Sequence, residues 1–334
     1  MEIYMKKIFI TLGDYNGIGV EIVIKSLLKL PSIENQYIIL GSDKIYNFYK
    51  KILGIKNFKF KTIESIDTIK DSGIYIYNIE NINIDIKPGE LTKDAGEAAG
   101  KSIVLATKYA KKYNGSIVTP PINKESLHMG GFYYPGHTEF ISNLLGNEKY
   151  LMILDGEIIR VALVTTHLPL KDVSKNLSED IIYSKGLILY NSLVKDYGIK
   201  NPTIGICSLN PHASDGGLFG DEEKKIIEPA ARKLRTSTNC NILGPLPSDT
   251  MFTKSFVEKV DAYLVMYHDQ GLIPLKLLTF GKGINFTAGL SIVRTSPDHG
   301  TAFNIAGKGI ADYHSMYNAL ISADLFMESR RVLK

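Results

Sequence analysis

The stretch DAYLVMYHDQGLIPLK, residues 261–276, joins an apolar run to a cluster of polar side chains. Its first part is short and apolar, which is typical of a buried β-strand. His268, Asp269 and Gln270 follow directly, with Lys276 close behind, and such groups are costly to bury without partners. The pattern predicts a strand that leaves the core and carries polar side chains to a functional site.

The same order of apolar run and polar end recurs along the chain. Runs typical of buried strands occupy residues 6–13, 36–42, 73–79, 115–124, 158–167 and 201–212. Helical patterns separate them, and the segment 92–113 has acidic residues near its start and lysines at its end, as the helix dipole favours. Strands separated by such helices predict parallel β-α-β units, an α/β fold in which ligands bind at the carboxyl ends of the strands.

Length and composition narrow the class of protein. The 334 residues exceed what one hydrophobic core usually spans, which predicts two domains or one large α/β unit. A net charge of +4 without a dense basic run argues against a nucleic-acid partner. Cys207 and Cys240 form no disulfide framework, and no stretch approaches the ~20 apolar residues that span a membrane. The sequence therefore predicts a soluble cytoplasmic protein with no membrane partner.

Three histidines stand at matching places. His167, His212 and His268 each follow a strand-like run, so all three can converge at one rim of a parallel sheet. Three neutral imidazoles that leave an open coordination position are typical of a catalytic divalent metal. The alternative is three unrelated histidines that cap strand ends through backbone hydrogen bonds, and spacing alone leaves both interpretations open.

Further polar residues suggest an anion site. His137 and Thr138 follow a glycine, where backbone can approach a ligand closely, although Thr138 can equally cap a helix. Lys276, Asn285 and Arg294 recur at intervals of nine, on successive segments after that of His268, and suit a phosphate or carboxylate dianion. The alternative is that these three residues belong to ordinary solvated surface, and the three residues alone favour that interpretation.

Two glycine-rich segments differ in how strongly they indicate a ligand site. GDYNGIG (13–19) looks like a phosphate loop, but its glycine spacing matches neither a dinucleotide fingerprint nor a P-loop, and a tight β-α turn explains it. DHGTAFNIAGKGIAD (298–312) is more informative, because its small residues let backbone amides approach a flat or phosphorylated ligand.

Nine motifs in order cover nearly the whole chain: TLGDYNGIGVE, GELTKDAGEAAGKSI, VTPPINKESL, GHTEF, TTHLPLKDV, LNPHASDGGLFGDEE, GPLPSDTMF, YHDQGLIPLK and INFTAGLSIVRTSPDHGTAFNIAGKGIAD. Together they resemble the 4-hydroxythreonine-4-phosphate dehydrogenase family of vitamin B6 biosynthesis. The last motif also looks like the nicotinamide-cofactor loop of isocitrate and isopropylmalate dehydrogenases. The resemblance implies their two-domain α/β/α fold with the active site in the interdomain cleft. Residues 1–125 and 290–334 would form a cofactor-side domain, and 126–289 a domain with the metal ligands and the dimer interface.

The resemblance also implies the roles of individual residues. The metal ligands would be His167, His212 and His268, holding Zn²⁺, or else Mg²⁺ or Co²⁺, in a site shared across a homodimer interface. The residues that bind the phosphorylated substrate would be His137, Thr138, Lys276, Asn285 and Arg294. Those that bind NAD, or else NADP, would be His299, Gly300, Thr301, Ala302 and Asn304.

The implied reaction is the NAD-dependent oxidation of 4-phosphohydroxy-L-threonine at C3, followed by decarboxylation to 3-amino-2-oxopropyl phosphate. The metal would be the Lewis acid. The general base stays open, with Lys124 and Asp249 as candidates by their chemistry alone.

The chain departs from the family pattern in three places. Tyr15-Asn16 replaces the usual Pro-Ala, which predicts a less rigid turn, and Ser214-Asp215 replaces Gly-Glu, which puts the shape of that loop in doubt. Asn304 stands where related dehydrogenases carry Asp or Glu. An amide has no charge to repel a 2′-phosphate, so we expect a relaxed preference for NAD⁺ over NADP⁺.

Two other functions are consistent with the same motifs. Relatives that oxidise 4-phospho-D-threonate or 4-phospho-D-erythronate in sugar-acid catabolism would share the metal and phosphate residues. A non-catalytic protein that binds a phosphorylated metabolite is disfavoured, because the three histidines and HGTA (299–302) are all present.

Overall fold

The computed structural model describes residues 5–279 and 281–333. The chain divides into two compact units: unit 1 contains Met1–Glu148 and Leu290–Met327, and unit 2 contains Lys149–Gly289 and Glu328–Lys334. Residues 126–148, which the sequence-based domain bounds assign to the second domain, pack within unit 1. Among the described residues, no helix is both long and apolar enough to cross a lipid bilayer.

The strands follow one another along the chain in this order: β1 (Lys7–Thr11), β2 (Gln36–Gly41), β3 (Lys61–Ile63), β4 (Gly73–Asn78), β5 (Ser116–Val118), β6 (Leu151–Asp155), β7 (Arg160–Leu163), β8 (Thr203–Cys207), β9 (Asn241–Leu246), β10 (Ala262–Val265), β11 (Ile284–Ala288) and β12 (Val293–Pro297). The α-helices are α1 (Gly19–Lys29), α2 (Asp43–Ile52), α3 (Lys93–Tyr113), α4 (Lys124–Met129), α5 (His137–Leu144), α6 (Glu179–Lys195), α7 (Glu228–Ser237), α8 (Ser248–Met251), α9 (Lys254–Val257), α10 (His268–Thr279) and α11 (His314–Val332).

Unit 1 is built on a parallel sheet with the strand order β3-β4-β2-β1-β5-β12. Its central strands are continuous apolar runs, as sheets covered on both faces require, and Ile8, Phe9 and Ile10 are fully buried. Helix α3 presents small residues to this sheet, and its Ser102 hydroxyl donates to Leu40 O at 2.6 Å and accepts from Leu12 N at 2.8 Å. The parallel β-α-β prediction is confirmed for this unit.

Unit 2 has the strand order β11-β6-β7-β10-β8-β9. Strands β7, β10, β8 and β9 pair in parallel, whereas β6 is antiparallel to both β11 and β7. The sequence-based description omitted β6 and β11 and predicted parallel pairing alone, which is wrong here. The four residues 156–159 join β6 to β7, and Gly156 N donates to Ile159 O at 2.9 Å within this connection.

Candidate active site

The ends of β7 and β10 bring two of the predicted metal ligands together. Backbone pairing continues past both strands, since Val164 N donates to Val265 O at 2.9 Å and Thr165 N donates to Met266 O at 3.2 Å. His167 and His268 each lie two residues beyond this paired stretch. Their ring centroids are 5.8 Å apart. Both imidazoles therefore lie at one edge of the unit 2 sheet, as their places after apolar runs predict.

His268 is the first residue of α10, and its ring is oriented by its neighbour. Its Nδ1 lies 2.6 Å from the Asp269 carboxylate, an arrangement that leaves Nε2 to bind a ligand. Lys276 lies on the same helix, about two turns further on, and not on a following segment as the sequence analysis expected.

Gln270 links three chain segments at this edge. Its side chain is buried, and its Oε1 accepts from Met266 N at 2.7 Å. Its Nε2 donates to Ser208 O at 2.6 Å and to Ser248 Oγ at 2.7 Å. The start of α10 is thereby tied to the end of β8 and to the start of α8, so the residues after three strands keep fixed relative positions.

His212 lies in a turn of unusual backbone conformation. Residues 212–216 all have positive φ angles, from 43° to 71°, and the first four are not glycine. For L-residues this left-handed conformation costs roughly 1–2 kcal/mol each. The ring of His212 is exposed. Among the residues that the structure describes, no group of three or more histidines, cysteines and carboxylates is arranged to hold a metal ion.

In unit 1, the buried guanidinium group of Arg294 is the centre of a second cluster. Arg294 lies on β12 and is 2% exposed. Its Nε and Nη2 donate to Thr119 Oγ1 at 3.1 and 2.6 Å, and its Nη1 lies 3.5 Å from Thr138 Oγ1. Burial lowers the pKa of Arg294 to about 10, and the Glu139 carboxylate offsets part of that change. The side chain therefore remains a cation at neutral pH.

Helix α5 begins beside this cation. Gly136 is its N-cap and has no side chain with which to cap the first N–H groups, so Thr138 is not the cap that the sequence allowed. His137 is the first helical residue, and its Nε2 is buried without a hydrogen-bond partner among the described residues. Burial, and then the charge of Arg294, hold the pKa of His137 well below its usual value. The helix therefore starts with a neutral imidazole and without a side-chain cap from its N-cap residue.

The predicted cofactor segment packs against the loop after β1. Ile18 N donates to Thr301 O at 3.0 Å, and a Cβ at Gly17 would lie 2.8 Å from that oxygen, so only glycine fits there. His299 Nε2 is buried without a hydrogen-bond partner in the described part of the chain, and a Cβ on Gly300 would meet open space. This segment thus combines a polar atom in need of a partner with backbone that a ligand can approach closely.

Comparisons with known proteins identify the family of this chain. A family model described as "Pyridoxal phosphate biosynthetic protein PdxA" matches residues 33–323. The chain belongs to the PdxA family. A 4-hydroxythreonine-4-phosphate dehydrogenase of Sulfurihydrogenibium sp. (strain YO3AOP1) is 42% identical over 328 residues, which cover 98% of this chain and 100% of that protein.

Two further proteins are similar to this chain over nearly its whole length. The crystal structure of 4-hydroxythreonine-4-phosphate dehydrogenase from Klebsiella pneumoniae superposes with a TM-score of 0.87 at 36% identity and covers 99% of each chain. A protein of Oceanobacillus iheyensis named "Putative D-threonate 4-phosphate dehydrogenase" is 40% identical over 321 residues, 94% of this chain and 96% of that one. The predicted family resemblance and the α/β fold are confirmed.

The first departure from the PdxA pattern does not loosen the turn. Tyr15 and Asn16 are fully buried. Asn16 donates through Nδ2 to Thr92 Oγ1 at 3.0 Å and accepts from Lys87 N at 2.8 Å. Burial and these hydrogen bonds argue against the expected loss of rigidity, because they hold the loop in place without the proline ring.

The remaining predicted residues are distributed over both units. Lys124 begins α4 of unit 1, Asp249 lies in α8 of unit 2, and both are exposed. Asn285 lies on β11 of unit 2, and its Oδ1 is buried without a hydrogen-bond partner in the described residues. Asn304 lies in a short 3₁₀ turn and is exposed. Thr119, which orients Arg294, was not predicted, although its position after β5 was a signal.

Proposed function

We propose that the protein oxidises 4-phosphohydroxy-L-threonine at C3 with NAD⁺, in a divalent-metal-dependent reaction, and decarboxylates the product to 3-amino-2-oxopropyl phosphate for pyridoxal 5′-phosphate biosynthesis. The observation that carries the proposal is the buried guanidinium group of Arg294 beside the start of α5, in a chain of the PdxA family. Cytoplasmic localisation is part of the same proposal.

The cluster around Arg294 fits a phosphate dianion. The planar guanidinium can form two parallel hydrogen bonds with phosphate oxygens, and Thr119 fixes its orientation at 2.6 Å. The first N–H groups of α5 and the helix dipole add donors and positive potential. Thr138 and the neutral imidazole of His137 supply further hydrogen bonds. We propose that Lys276 and Asn285 bind the same substrate.

The donor set after β7 and β10 fits a divalent cation, which we propose is Zn²⁺. His167 and His268 offer two imidazoles, and Asp269 orients the second one. When bound, the cation supplies Lewis-acid polarisation of the substrate oxygen. Gln270 ties the segment that carries His268 to the end of β8.

We propose that His212 of a second copy completes this ligand set in a homodimer. Large apolar side chains close in sequence to each of the three histidines are exposed to solvent. They are 40–73% exposed: Leu168, Leu170, Leu218, Phe219, Ile273 and Leu277. Exposed apolar side chains that accumulate around polar ligands are typical of a protein interface, and a self-complementary surface gives a symmetric dimer.

The segment 299–304 fits a nicotinamide dinucleotide. When bound, NAD⁺ accepts the hydride. His299 Nε2 is placed to bind it, Gly300 lets the ligand approach the backbone, and Thr301 is held by the loop after β1. Lys124 and Asp249 are the proposed groups for proton transfer, since both are exposed and carry groups that can exchange a proton.

Replacing Asn304 by aspartate should sharpen the preference for NAD⁺. A carboxylate would repel the 2′-phosphate of NADP⁺, and a like-charge contact costs enough to change the ratio of kcat/KM values by about tenfold or more. The measurement is kcat/KM for both cofactors in wild type, Asn304→Asp and the exposed control Asn57→Asp. A wild-type ratio above about a hundredfold, or no change in Asn304→Asp, would contradict the role given to Asn304.

Oxidation of 4-phospho-D-threonate or 4-phospho-D-erythronate is the second candidate function. The relative from Oceanobacillus iheyensis is nearly as similar to this chain as the 4-hydroxythreonine-4-phosphate dehydrogenase of Sulfurihydrogenibium sp., at 40% against 42% identity. The proposed metal and phosphate residues serve either substrate.

A substrate panel tests the proposed function. NADH formation is measured with purified protein, NAD⁺, Zn²⁺ and each of the three phosphorylated substrates. The highest kcat/KM with 4-phosphohydroxy-L-threonine is expected. A higher value with either sugar acid would transfer the protein to sugar-acid catabolism, and no turnover of any of them would support a non-catalytic binding protein.

A further inference from the structure

The turn that carries His212 is held by a carboxylate for which the proposed function gives no role. We propose that Glu223, through Ser214, is a positioning residue for His212, which it holds in the conformation needed for metal binding. The inference rests on the proposed function, because it takes His212 to be a metal ligand.

Glu223 contacts the chain on both sides of His212. It is the first residue of a π-helical turn, Glu223–Ile227, and is 5% exposed. Its Oε1 accepts from Leu209 N and Asn210 N, both at 2.8 Å. Its Oε2 accepts from Asn210 Nδ2 at 3.0 Å and from the Ser214 hydroxyl. One carboxylate thus fixes residues 209–210 before His212 and residue 214 after it.

Packing alone does not hold this turn. A cavity of about 600 Å³ borders it, and Ala213, Ser214, Gly216 and Gly217 line that cavity. A Cβ added to Gly216 or Gly217 would meet no atom within 4 Å. The backbone there is strained and open to the cavity, so its hydrogen bonds oppose relaxation to a right-handed conformation. Phe219 N donates to Ser214 O at 3.2 Å within the turn, and the Glu223 carboxylate supplies the side-chain hydrogen bonds on both sides of His212.

Ser214 gives this chain its own way to stabilise the turn. The family usually has glycine at this place, and glycine adopts a φ of 70° without strain. Serine is strained in this conformation, but its buried hydroxyl donates a hydrogen bond to Glu223. A glycine at 214 should therefore be tolerated, whereas an alanine would keep the strain and lose the hydrogen bond.

The charge of Glu223 is required as well as its shape. Four donors converge on its two oxygens. Glutamine would place an NH₂ group opposite some of those donors, so at least one hydrogen bond would be lost and one donor left facing another. Glu223→Gln should therefore release the turn although it keeps the side-chain volume.

The test measures Zn²⁺ affinity of the intact protein by competition with a chromophoric chelator, beside thermal unfolding. Expected are an affinity about 10- to 100-fold weaker in Glu223→Gln, a smaller loss in Ser214→Ala, and near wild-type affinity in Ser214→Gly. Glu228→Gln is the matched control, since Glu228 is exposed and pairs with Arg232 at the start of α7.

Several results would overturn the inference. Wild-type Zn²⁺ affinity in Glu223→Gln, even with a lower Tm, would make Glu223 purely structural. If that variant does not fold, equal affinities in Ser214→Ala and Ser214→Gly would overturn it too. Failure of the proposed function gives a different result, because neither the wild type nor His268→Ala would then bind Zn²⁺. In that case the positioning role of Glu223 would be rejected as well.

Discussion

Replacing His268 by alanine is expected to lower kcat/KM for 4-phosphohydroxy-L-threonine by about a thousandfold. The variant would leave His167 without its neighbouring imidazole at the ends of β7 and β10. Lewis-acid activation contributes several kcal/mol, and about 4 kcal/mol corresponds to a thousandfold in rate. The measurement is steady-state NADH formation together with the metal content of the purified variant.

His128→Ala is the matched control for this prediction. His128 is exposed in unit 1, lies outside the predicted site and contacts Tyr134 O at 3.1 Å. It should keep the metal content and the rate of the wild type. A His268→Ala variant that retains both would disprove the ligand role of His268.

Mixing two inactive variants tests whether the site is shared. If His212 serves the second copy, a dimer of one His268→Ala chain and one His212→Ala chain retains one intact site. Random exchange makes half of the dimers mixed, so about a quarter of the wild-type activity should return. No recovery after demonstrated subunit exchange would place all three ligands in one chain.

Replacing Arg294 by glutamine is expected to reduce kcat/KM for the phosphorylated substrate by about 10²- to 10³-fold. Removing one partner of a buried charge pair costs about 2–5 kcal/mol of binding free energy, which corresponds to a decrease in kcat/KM of this magnitude. The effect should appear mainly in KM, because the phosphate is bound alike in the ground state and in the transition state. Arg294→Lys should be intermediate, since lysine keeps the charge but not the planar pair of donors.

The substrate without its phosphate distinguishes recognition from general damage. Wild type and Arg294→Gln should both turn over 4-hydroxy-L-threonine poorly and at similar rates. Arg232→Gln, an exposed arginine on α7, is the control for the substitution itself. An equal loss on both substrates would contradict phosphate binding by Arg294.

The sequence predicted the parts of the fold that depend on local pattern. The buried runs that became β1, β2, β7, β8 and β10 were recognisable because strands buried on both faces are continuously apolar. The position of His167 and His268 followed from the rule that parallel strands present their carboxyl ends together. Strand β11 was missed because its antiparallel pairing with β6 joins residues distant in sequence. Strand β6 pairs with β7, its neighbour along the chain, and was missed although that pairing is local.

The contacts that orient the site were less predictable. Glu223 lies in an acidic run, a pattern typical of solvent-exposed helix surface. Its contacts with residues 209–214 form only in the folded chain. Asn16 likewise looked like a loosening substitution until its partners at 87 and 92 were known. Lys276 was expected on a segment after that of His268, yet α10 continues through Pro274 and carries both residues.

The most direct measurement is NADH formation from 4-phosphohydroxy-L-threonine by the purified protein before chelation, after chelation and after Zn²⁺ is added back. We expect the activity to be lost with the metal and restored by it, with 3-amino-2-oxopropyl phosphate as the product. Activity that is indifferent to chelation, or absent with Zn²⁺ and NAD⁺ both present, would contradict a metal-dependent dehydrogenase of this substrate.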